Sequence, residues 1–317
     1  MLGNCPVIAL EEHYWDEELS GHFVGAEGKS PLAALLKDVG ETRLRAMDEA
    51  GIDMQVLSHG APAAQKLSAD MCVDLTRRAN ERLAETCARH PTRFAGFATL
   101  PTPRPEQAAL ELERCVKDYG FKGAMIHGLT NGEFHDHKKF WPIYEVASKL
   151  DVPIYFHPAV PQAAVMKAYY DDYAEEFPSV IRAAWGFTVE TATQAIRLVL
   201  SRVFEEHNGL KIVLGHFGET LPFLMWRINQ ALQRPGHAPL SFRETFGRHF
   251  HVTTSGHFST PALVCTMMEL GIDRIMFSVD YPFVVNQDGM DWIKTLQISP
   301  DDKAKLLGGN AKKLLRL

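Results

Sequence analysis

The feature that most constrains this fold is a regular alternation, along the whole chain, of short apolar runs with longer amphipathic segments. Short apolar runs are typical of buried strands, and the segments between them have helical spacing. Eight strands are predicted in this way, over 6–10, 53–58, 94–100, 122–126, 152–156, 211–214, 249–253 and 274–279. This pattern predicts an α/β fold of the (β/α)8 TIM-barrel type. We expect residues 1–317 to form one domain, with the C-terminal helices of 286–317 packing on the barrel.

The segments between the strands divide into helical and irregular ones. Residues 14–40 are expected to form a long irregular loop, because they are polar and contain glycine, and residues 159–188 form a long segment rich in Tyr, Trp, Phe and Ala. Ser68 is placed to cap the helix that follows it, and Gly51 is placed to end a helix. The predicted helices cover 41–50, 69–89, 106–119, 140–150, 190–206, 219–232 and 261–270.

Composition excludes several classes of protein. The chain has 317 residues and a net charge of -6, so it lacks the basic face that a nucleic-acid or anionic-membrane partner requires. It contains no apolar run of the ~20 residues that span a bilayer. The five cysteines are scattered, which favours a reducing compartment. Since no basic N-terminal region precedes an apolar run, we expect no signal peptide and a cytoplasmic location.

Metal-binding side chains follow several of the predicted strands. They are Glu11, His13, His157, His216 and Asp280. In a barrel of parallel strands, the carboxyl ends of all strands meet at one mouth. Two carboxylates with two or three imidazoles match a site for Zn²⁺ or Mn²⁺, and the absence of cysteine favours a catalytic site over a structural one.

The first strand decides how its polar end is presented. Side chains alternate along a strand, so Glu11 and His13 are expected on one face and Glu12 on the other. The alternative for this stretch is a hairpin edge with solvated charges. Each histidine taken alone is more simply explained as a hydrogen-bonded structural residue.

Several motifs make the chain resemble a known family. They are Ala9-Leu10-Glu11-Glu12-His13, Phe156-His157-Pro158, the segment 185–191, Gly215-His216-Phe217-Gly218-Glu219, the segment 252–256, and Ser278-Val279-Asp280-Tyr281-Pro282. With them the chain resembles the amidohydrolase 2 (ACMSD-like) family, and within it the γ-resorcylate and 2,3-dihydroxybenzoate decarboxylases. The resemblance covers nearly the whole chain and implies a distorted barrel.

The resemblance also implies roles for individual residues. Glu11, His13, His157 and Asp280 would hold the metal. Asp280 would also protonate the ring carbon before CO₂ leaves. His216 would lie beside the metal as an acid–base or substrate-orienting group, and Glu219 would support it by a hydrogen bond. The alternative for Glu219 is an acid that stabilises a helix N-terminus.

An aromatic substrate requires a flat apolar pocket. Trp185, Phe187 and Phe283 are candidates for its walls, with His216 and His127 as polar substrate-binding residues. The alternative for the aromatic residues is ordinary packing between barrel and helices. His127 departs from the decarboxylases, which carry asparagine at this position. His59 is expected in a loop that meets solvent.

Three functions remain open from sequence. We favour a metal-dependent, non-oxidative decarboxylase of an ortho-hydroxylated aromatic acid, because Glu11 stands where many family members carry a first histidine. The second is a hydrolase or hydratase of the same superfamily that acts on a lactone or a ring-cleavage acid. The third, a non-catalytic barrel, would have lost ligands at the strand ends, and none is lost. Relatives form dimers or tetramers, so a homo-oligomer is expected.

Overall fold

The computed structural model describes residues 5–24, 30–236, 238 and 240–317. Nine strands form its sheets: β1 (Ile8–Tyr14), β2 (Met54–His59), β3 (Phe94–Gly96), β4 (Ala98–Thr99), β5 (Ala124–His127), β6 (Pro153–His157), β7 (Lys211–Leu214), β8 (Phe250–Thr253) and β9 (Ile275–Met276). All neighbouring strands run parallel, in the order β1-β2-β3 in one sheet and β4-β5-β6-β7-β8-β9 in the other.

Seventeen α-helices surround or cap the strands within this part of the chain. They are α1 (Glu17–Ser20), α2 (Ala33–Lys37), α3 (Glu41–Ala50), α4 (Ala69–Arg89), α5 (Pro105–Tyr119), α6 (Trp141–Leu150), α7 (Ala163–Tyr169), α8 (Asp171–Ala174), α9 (Gly186–Leu200), α10 (Val203–Glu206), α11 (His216–Glu219), α12 (Leu221–Leu232), α13 (Phe242–His249), α14 (Thr260–Leu270), α15 (Asn286–Thr295), α16 (Pro300–Ala304) and α17 (Asn310–Leu315). In the described ranges, no helix combines the length and apolarity needed to cross a membrane.

The two sheets close into one barrel of eight staves. β3 and β4 are successive parts of one stave, interrupted at Phe97, whose N–H donates to the carbonyl of Leu57 on β2. On the other side, the His13 N–H donates to the Tyr281 carbonyl at 2.7 Å, and Glu12 pairs with Tyr281 in a parallel bridge. The predicted (β/α)8 barrel is therefore confirmed, with an interruption in its third stave.

The core has two main layers, and a smaller third cluster packs Leu19 of α1 against α4. Inside the barrel, side chains from most staves pack together in one cluster. Leu314 and Leu315 of α17 belong to this cluster. The larger layer packs the outer faces of the strands against the helices. The last helix, α17, thus contacts the barrel interior. The expectation that residues 1–317 form one domain, with the helices of 286–317 packing on the barrel, stays a prediction.

A β-bulge turns the end of β1. Ala9 pairs with Gln55 and Glu12 with Leu57, so β1 has one residue more than β2 between these two pairs. Such a bulge places two successive side chains on one face. Leu10 packs inside the barrel, and Glu11 also faces the interior. Without the bulge, the alternation that buries Leu10 would place Glu11 outside.

Several predicted boundaries are wrong. The predicted irregular segment 14–40 contains α1 and α2; residues 25–29 of it lie outside the described residues. The helix α9 begins at Gly186 and ends at Leu200 rather than spanning 190–206, and α7 and α8 lie in the segment 159–188, for which no element is predicted. The helix α13 was not predicted, and Ser68 precedes α4 without a side-chain cap. Gly51, in the left-handed region, ends α3 as expected.

The interrupted stave depends on one side chain from α4. The amide of Asn80 donates to the Thr99 carbonyl at 2.9 Å and accepts from the Thr99 N–H at 2.9 Å. Asn80 also donates to Glu111 at 2.7 Å, and all three residues are buried. Asn80 therefore pairs backbone groups of the short strand β4 that would otherwise be buried without a partner.

Replacing Asn80 should destabilise the fold. We expect Asn80→Ala to lower the free energy of unfolding by about 3 kcal/mol, because two buried backbone groups of Thr99 lose their partners. Urea unfolding followed by circular dichroism measures this. The exposed Asn208→Ala should change the same quantity by less than about 0.5 kcal/mol. A loss below about 1 kcal/mol for Asn80→Ala would show that another contact supports β4.

Candidate metal centre and active site

Four predicted ligands converge at the carboxyl ends of the strands. Glu11 and His13 come from the end of β1, His157 ends β6, and Asp280 follows β9. One potential ligand atom from each lies within 4.8 Å of all the others. The Nε2 of His157 is 3.2 Å from Glu11 Oε1, and the Nε2 of His13 is 3.2 Å from Asp280 Oδ1. The structure thus brings together the four residues that the resemblance implied.

The polar atoms of this cluster fit a metal ion. Glu11 Oε1, His13 Nε2 and Asp280 Oδ1 are buried, and none has a hydrogen-bond partner within the described part of the chain. Buried polar atoms without partners are costly, and three aimed at one point indicate a ligand. Two carboxylates and two imidazoles are a donor set for one Zn²⁺ or Mn²⁺ ion.

Each histidine is oriented so that its Nε2 faces the cluster. The Nδ1 of His13 lies 3.2 Å from the Ser58 hydroxyl, and the Nδ1 of His157 lies 2.6 Å from the Pro158 carbonyl, which can only accept. In a neutral imidazole, donation from Nδ1 leaves a lone pair on Nε2. The Pro158 carbonyl therefore fixes the metal-binding tautomer of His157, and the Ser58 hydroxyl, which can accept or donate, is compatible with the same tautomer of His13.

One oxygen of Glu11 is occupied by the protein, which leaves the other for a ligand. Ser255 donates to Glu11 Oε2 at 2.6 Å, and the Tyr155 hydroxyl donates to the same oxygen. The close approach of this oxygen also explains Gly215, since a Cβ there would lie 2.6 Å from it. Sequence reasoning assigned no role to Tyr155 or Ser255. Tyr155 precedes His157 by two residues on β6, so strand alternation would have placed both on one face.

The electrostatics separate the two acids. Burial opposes the charge of Glu11, but His157, His216 and His13 outweigh it and lower the pKa of Glu11 well below its usual range. Burial, followed by the charge of Glu11, raises the pKa of Asp280 to about 8. Burial also lowers the pKa of His13 to about 4, which keeps it in the neutral form that metals bind.

His216 lies beside the cluster on α11, a short element whose backbone forms a left-handed turn rather than a regular α-helix. Its Nε2 is 4.0 Å from Glu11 Oε1, and its Nδ1 is 2.7 Å from Glu219 Oε1. Residues 216–220 all have positive φ, so the helix predicted from Glu219 begins instead at Leu221. Burial lowers the pKa of His216, but Glu219 and then Glu11 and Asp280 raise it to about 10. The geometry supports a charged His216 held by Glu219.

The structure separates the predicted substrate-binding residues into two groups. Phe283 is 48% exposed and its ring centroid lies 5.8 Å from that of His13, so it borders the cluster. Trp185 is 50% exposed at the start of α9, and Phe187 is half-buried in its first turn. The next residue, Thr188, donates to Glu219 at 2.8 Å. Contact of Trp185 and Phe187 with a substrate stays a prediction.

His127 is buried and both of its ring nitrogens already have partners. Its Nε2 lies 2.6 Å from the His59 carbonyl, and its Nδ1 lies 2.9 Å from His157 Nδ1. Its direct contact with substrate stays a prediction that these contacts do not favour. The prediction that His59 meets solvent is wrong: it is 1% exposed, and its Nε2 accepts from the Asp16 N–H at 3.0 Å.

A comparison with known proteins places this geometry in a family. The family model described as Amidohydrolase matches residues 13–317. The chain belongs to this family. It is 41% identical over 325 residues to the gamma-resorcylate decarboxylase of Polaromonas sp. (strain JS666), a match that covers 98% of each chain.

Two crystal structures agree with this assignment. A dihydroxybenzoic acid decarboxylase from Polaromonas sp. JS666, with bound manganese and the inhibitor 2-nitroresorcinol, matches with a TM-score of 0.90 and 41% identity over 98% of this chain and 97% of that one. A 5-carboxyvanillate decarboxylase from Sphingomonas paucimobilis matches with a TM-score of 0.91 and 33% identity over 99% and 100%. The predicted family, its barrel and its class of metal-dependent, non-oxidative decarboxylases of hydroxylated aromatic acids are therefore confirmed.

The pairing of His216 with Glu219 can be tested by titration. We expect Glu219→Gln to lower the pKa of His216 from about 10 towards the ordinary histidine value of about 6.5, because the adjacent negative charge is removed. Histidine NMR signals, assigned with His216→Gln, measure this. Thr188→Ala removes only a hydroxyl that donates to Glu219, so it should change the pKa much less. An unchanged titration in Glu219→Gln would contradict the pairing.

Proposed function

We propose that the chain removes CO₂ from a dihydroxybenzoate with a hydroxyl group ortho to the carboxylate, with 2,6-dihydroxybenzoate as the first candidate. The observation that carries this proposal is the cluster of Glu11, His13, His157 and Asp280 beside the aromatic ring of Phe283. The relatives support the substrate class, since the gamma-resorcylate decarboxylase is 41% identical over nearly the whole chain.

The four clustered residues would hold one divalent ion, Zn²⁺ or Mn²⁺, through Glu11, His13, His157 and Asp280. Manganese is the first candidate, because a neighbouring decarboxylase contains it. When bound, such an ion supplies Lewis acidity and a template for an ortho-hydroxybenzoate. The ligand atoms that the chain would offer this ion are the carboxylate oxygens of Glu11 and Asp280 and the Nε2 atoms of the two histidines.

Asp280 would carry the reacting proton. Its carboxyl group is the member of the cluster nearest the mouth, with a side chain 16% exposed while those of Glu11 and His13 are fully buried. Asp280 donates a proton to the ring carbon that bears the carboxylate. The bond from that carbon to the carboxylate then breaks, its electron pair restores the aromatic ring, and CO₂ leaves. Asp280 regains its proton from solvent by way of His216, which Glu219 orients.

The ring would be bound by apolar contact at the mouth. Phe283 provides one wall, and Trp185 and Phe187 at the start of α9 are proposed to provide another. His216 is proposed to contact the substrate's polar groups.

A cytoplasmic location is part of the same proposal. All five cysteines are free thiols, which is typical of proteins in a reducing compartment.

The reaction can be tested directly with the purified enzyme. We expect CO₂ release from 2,6-dihydroxybenzoate. A chelator should remove the ion from the four clustered side chains and abolish activity, and added Mn²⁺ or Zn²⁺ should restore it, because those side chains remain to bind it again. Chromatography of the product measures this, with 3,5-dihydroxybenzoate, which lacks an ortho hydroxyl group, as the matched non-substrate.

The proposed role of Asp280 as the proton donor can be tested by substitution. Asp280→Asn should lower kcat by at least about 10³-fold, because the amide cannot donate the proton in the reaction. Full activity of Asp280→Asn would contradict the proton donor.

The alternative function has a different signature. Hydrolysis of a lactone, without decarboxylation of any ortho-hydroxybenzoate, would favour the hydrolase over the decarboxylase.

We also propose that two copies of the chain associate through one apolar face. Four large side chains on α12 and α14 are exposed there: Phe223 at 80%, Trp226 at 69%, Val264 at 45% and Met268 at 82%. They line a groove of about 1000 Å³ that reaches His216. Their exposed area is on the order of 500 Å². With flanking atoms, this approaches the roughly 800 Å² that one partner contributes to a standard interface, so a second copy is the occupant that fits.

Substitution of this face should separate the copies. We expect the wild-type chain to elute as a dimer or a higher oligomer and Trp226→Glu to elute as a monomer, because a charge would be buried in the interface. Size-exclusion chromatography with light scattering measures the mass. Tyr169→Glu, at an aromatic residue of α7 that is 69% exposed, should leave the mass unchanged. A monomeric wild-type chain would refute the interface.

A further inference from the structure

Glu12, between the two proposed ligands of β1, is fully buried but points away from the cluster. Its carboxylate accepts four hydrogen bonds on the outer side of the strand. The donors are the Val279 N–H at 2.9 Å, the Tyr281 N–H at 3.2 Å, the Ser278 hydroxyl at 3.3 Å and the Gln55 amide at 3.4 Å. Three of these donors come from the segment that carries Asp280. Sequence reasoning placed Glu12 on the opposite face from Glu11 and assigned it no function.

The two backbone donors flank Asp280 on either side. Val279 donates to Glu12 Oε1 and Tyr281 to Oε2, so one carboxylate spans the residue between them. Asp280 itself has φ 71°, a left-handed conformation that residues other than glycine adopt only where their surroundings impose it. The carboxylate of Glu12 is one of the contacts that hold this conformation, since it binds the backbone N–H groups on both sides of Asp280. The N–H groups of Phe283 and Val284, which donate to the Asp280 carbonyl, are others.

Glu12 is in turn fixed from the opposite side. Arg43 of α3 is fully buried, donates to the Gln55 side-chain oxygen at 3.2 Å and also donates to the His13 carbonyl. Gln55 then donates its amide group to Glu12. The positive charge of Arg43 is therefore held near the carboxylate, and the same guanidinium holds the backbone of a proposed ligand, His13.

We propose that Glu12 is a positioning residue that sets Asp280 against Glu11 and His13. This inference rests on the proposed role of Asp280 as a metal ligand. The strand β1 presents Glu11 and His13 to the barrel interior, and its intervening residue holds the loop that brings Asp280 to them. The spacing between ligands from the first and last staves is then determined by one carboxylate.

A purely structural role in closing the barrel is the alternative, and the two roles differ in what they predict. If Glu12 acts through Asp280, its loss weakens the metal site only while residue 280 is a ligand. If Glu12 only stabilises the barrel, its loss lowers stability without such dependence. Non-additivity in a double-mutant cycle separates the two.

The experiment measures Mn²⁺ affinity, from the electron paramagnetic resonance of the free ion, for wild type, Glu12→Gln, Asp280→Asn and the double variant. The Gln amide keeps the shape of Glu12 but turns one acceptor into a donor that faces a backbone N–H. We expect Glu12→Gln to weaken Mn²⁺ binding by about tenfold or more, as for groups that orient metal ligands. Asp280→Asn should weaken it at least as much, and the double variant should match Asp280→Asn within about twofold.

Glu111→Gln provides the matched control. Glu111 is a buried carboxylate on α5 that accepts from Asn80 and Arg114, away from the cluster. Its substitution should lower the melting temperature but leave Mn²⁺ affinity within about twofold of wild type. If Glu12→Gln does not fold, Glu12→Asp is used in the same cycle, because it keeps the charge near Arg43 but is too short to reach both amides.

The outcomes are distinct. Multiplicative losses in the double variant, or an equal loss of affinity in Glu111→Gln, would overturn the positioning role and leave the ligand role of Asp280 intact. Wild-type Mn²⁺ affinity in Asp280→Asn would overturn the ligand role and the positioning role with it. A double variant that binds as Asp280→Asn does, with an unaffected Glu111→Gln, supports the proposal.

Discussion

The structure depends on the closure of the barrel between its first and last staves. The strand β9 ends at Met276, so the closing contact is made beyond it, by a backbone hydrogen bond from His13 to Tyr281 and by the carboxylate of Glu12. An open edge in a parallel barrel would leave backbone groups unpaired. Here a charged side chain completes the pairing that the short strand cannot. Because this contact is at the mouth, the closure also sets the distance between Glu11 and Asp280.

Burying this carboxylate is costly, and the structure offsets the cost with several donors. Burial raises the pKa of Glu12 to about 8, against the backbone N–H groups of Val279 and Tyr281 and the charge of Arg43, which lower it. That pKa implies a protonated group near neutral pH, whereas the contacts fit the ionised form, since a proton on either oxygen would face an N–H donor. The hydrogen-bond geometry therefore supports the ionised carboxylate. Such buried networks specify one geometry when all their members are satisfied. Burying Glu12 therefore costs free energy, but the resulting network is rigid, as the proposed metal site requires.

Much of the site could be predicted from the sequence, because strand ends in a barrel share one mouth. That rule and the family motifs identified Glu11, His13, His157 and Asp280, which the structure brings within one cluster. Alternation along β1 predicted the opposite direction of Glu12. The bulge could not be predicted, because it appears only in the pairing of β1 with β2. The burial of His59 was missed for a similar reason, since its partner Asp16 comes from a different stave's loop.

The left-handed turn at 216–220 shows how local strain and function coincide. A helical pattern suggested that Glu219 begins a helix, yet His216 and Glu219 both have positive φ and meet at 2.7 Å. Such conformations persist only where packing imposes them, and they concentrate at functional sites. The same holds for Asp280 at the other side of the mouth. The two proposed proton-carrying groups thus both lie on backbone with positive φ, whereas His13 and His157 lie on strands and Glu11 lies in the bulge of β1. The backbone on either side of Asp280 is held by Glu12 from the first stave, and the imidazole of His216 is held by Glu219 from its own turn.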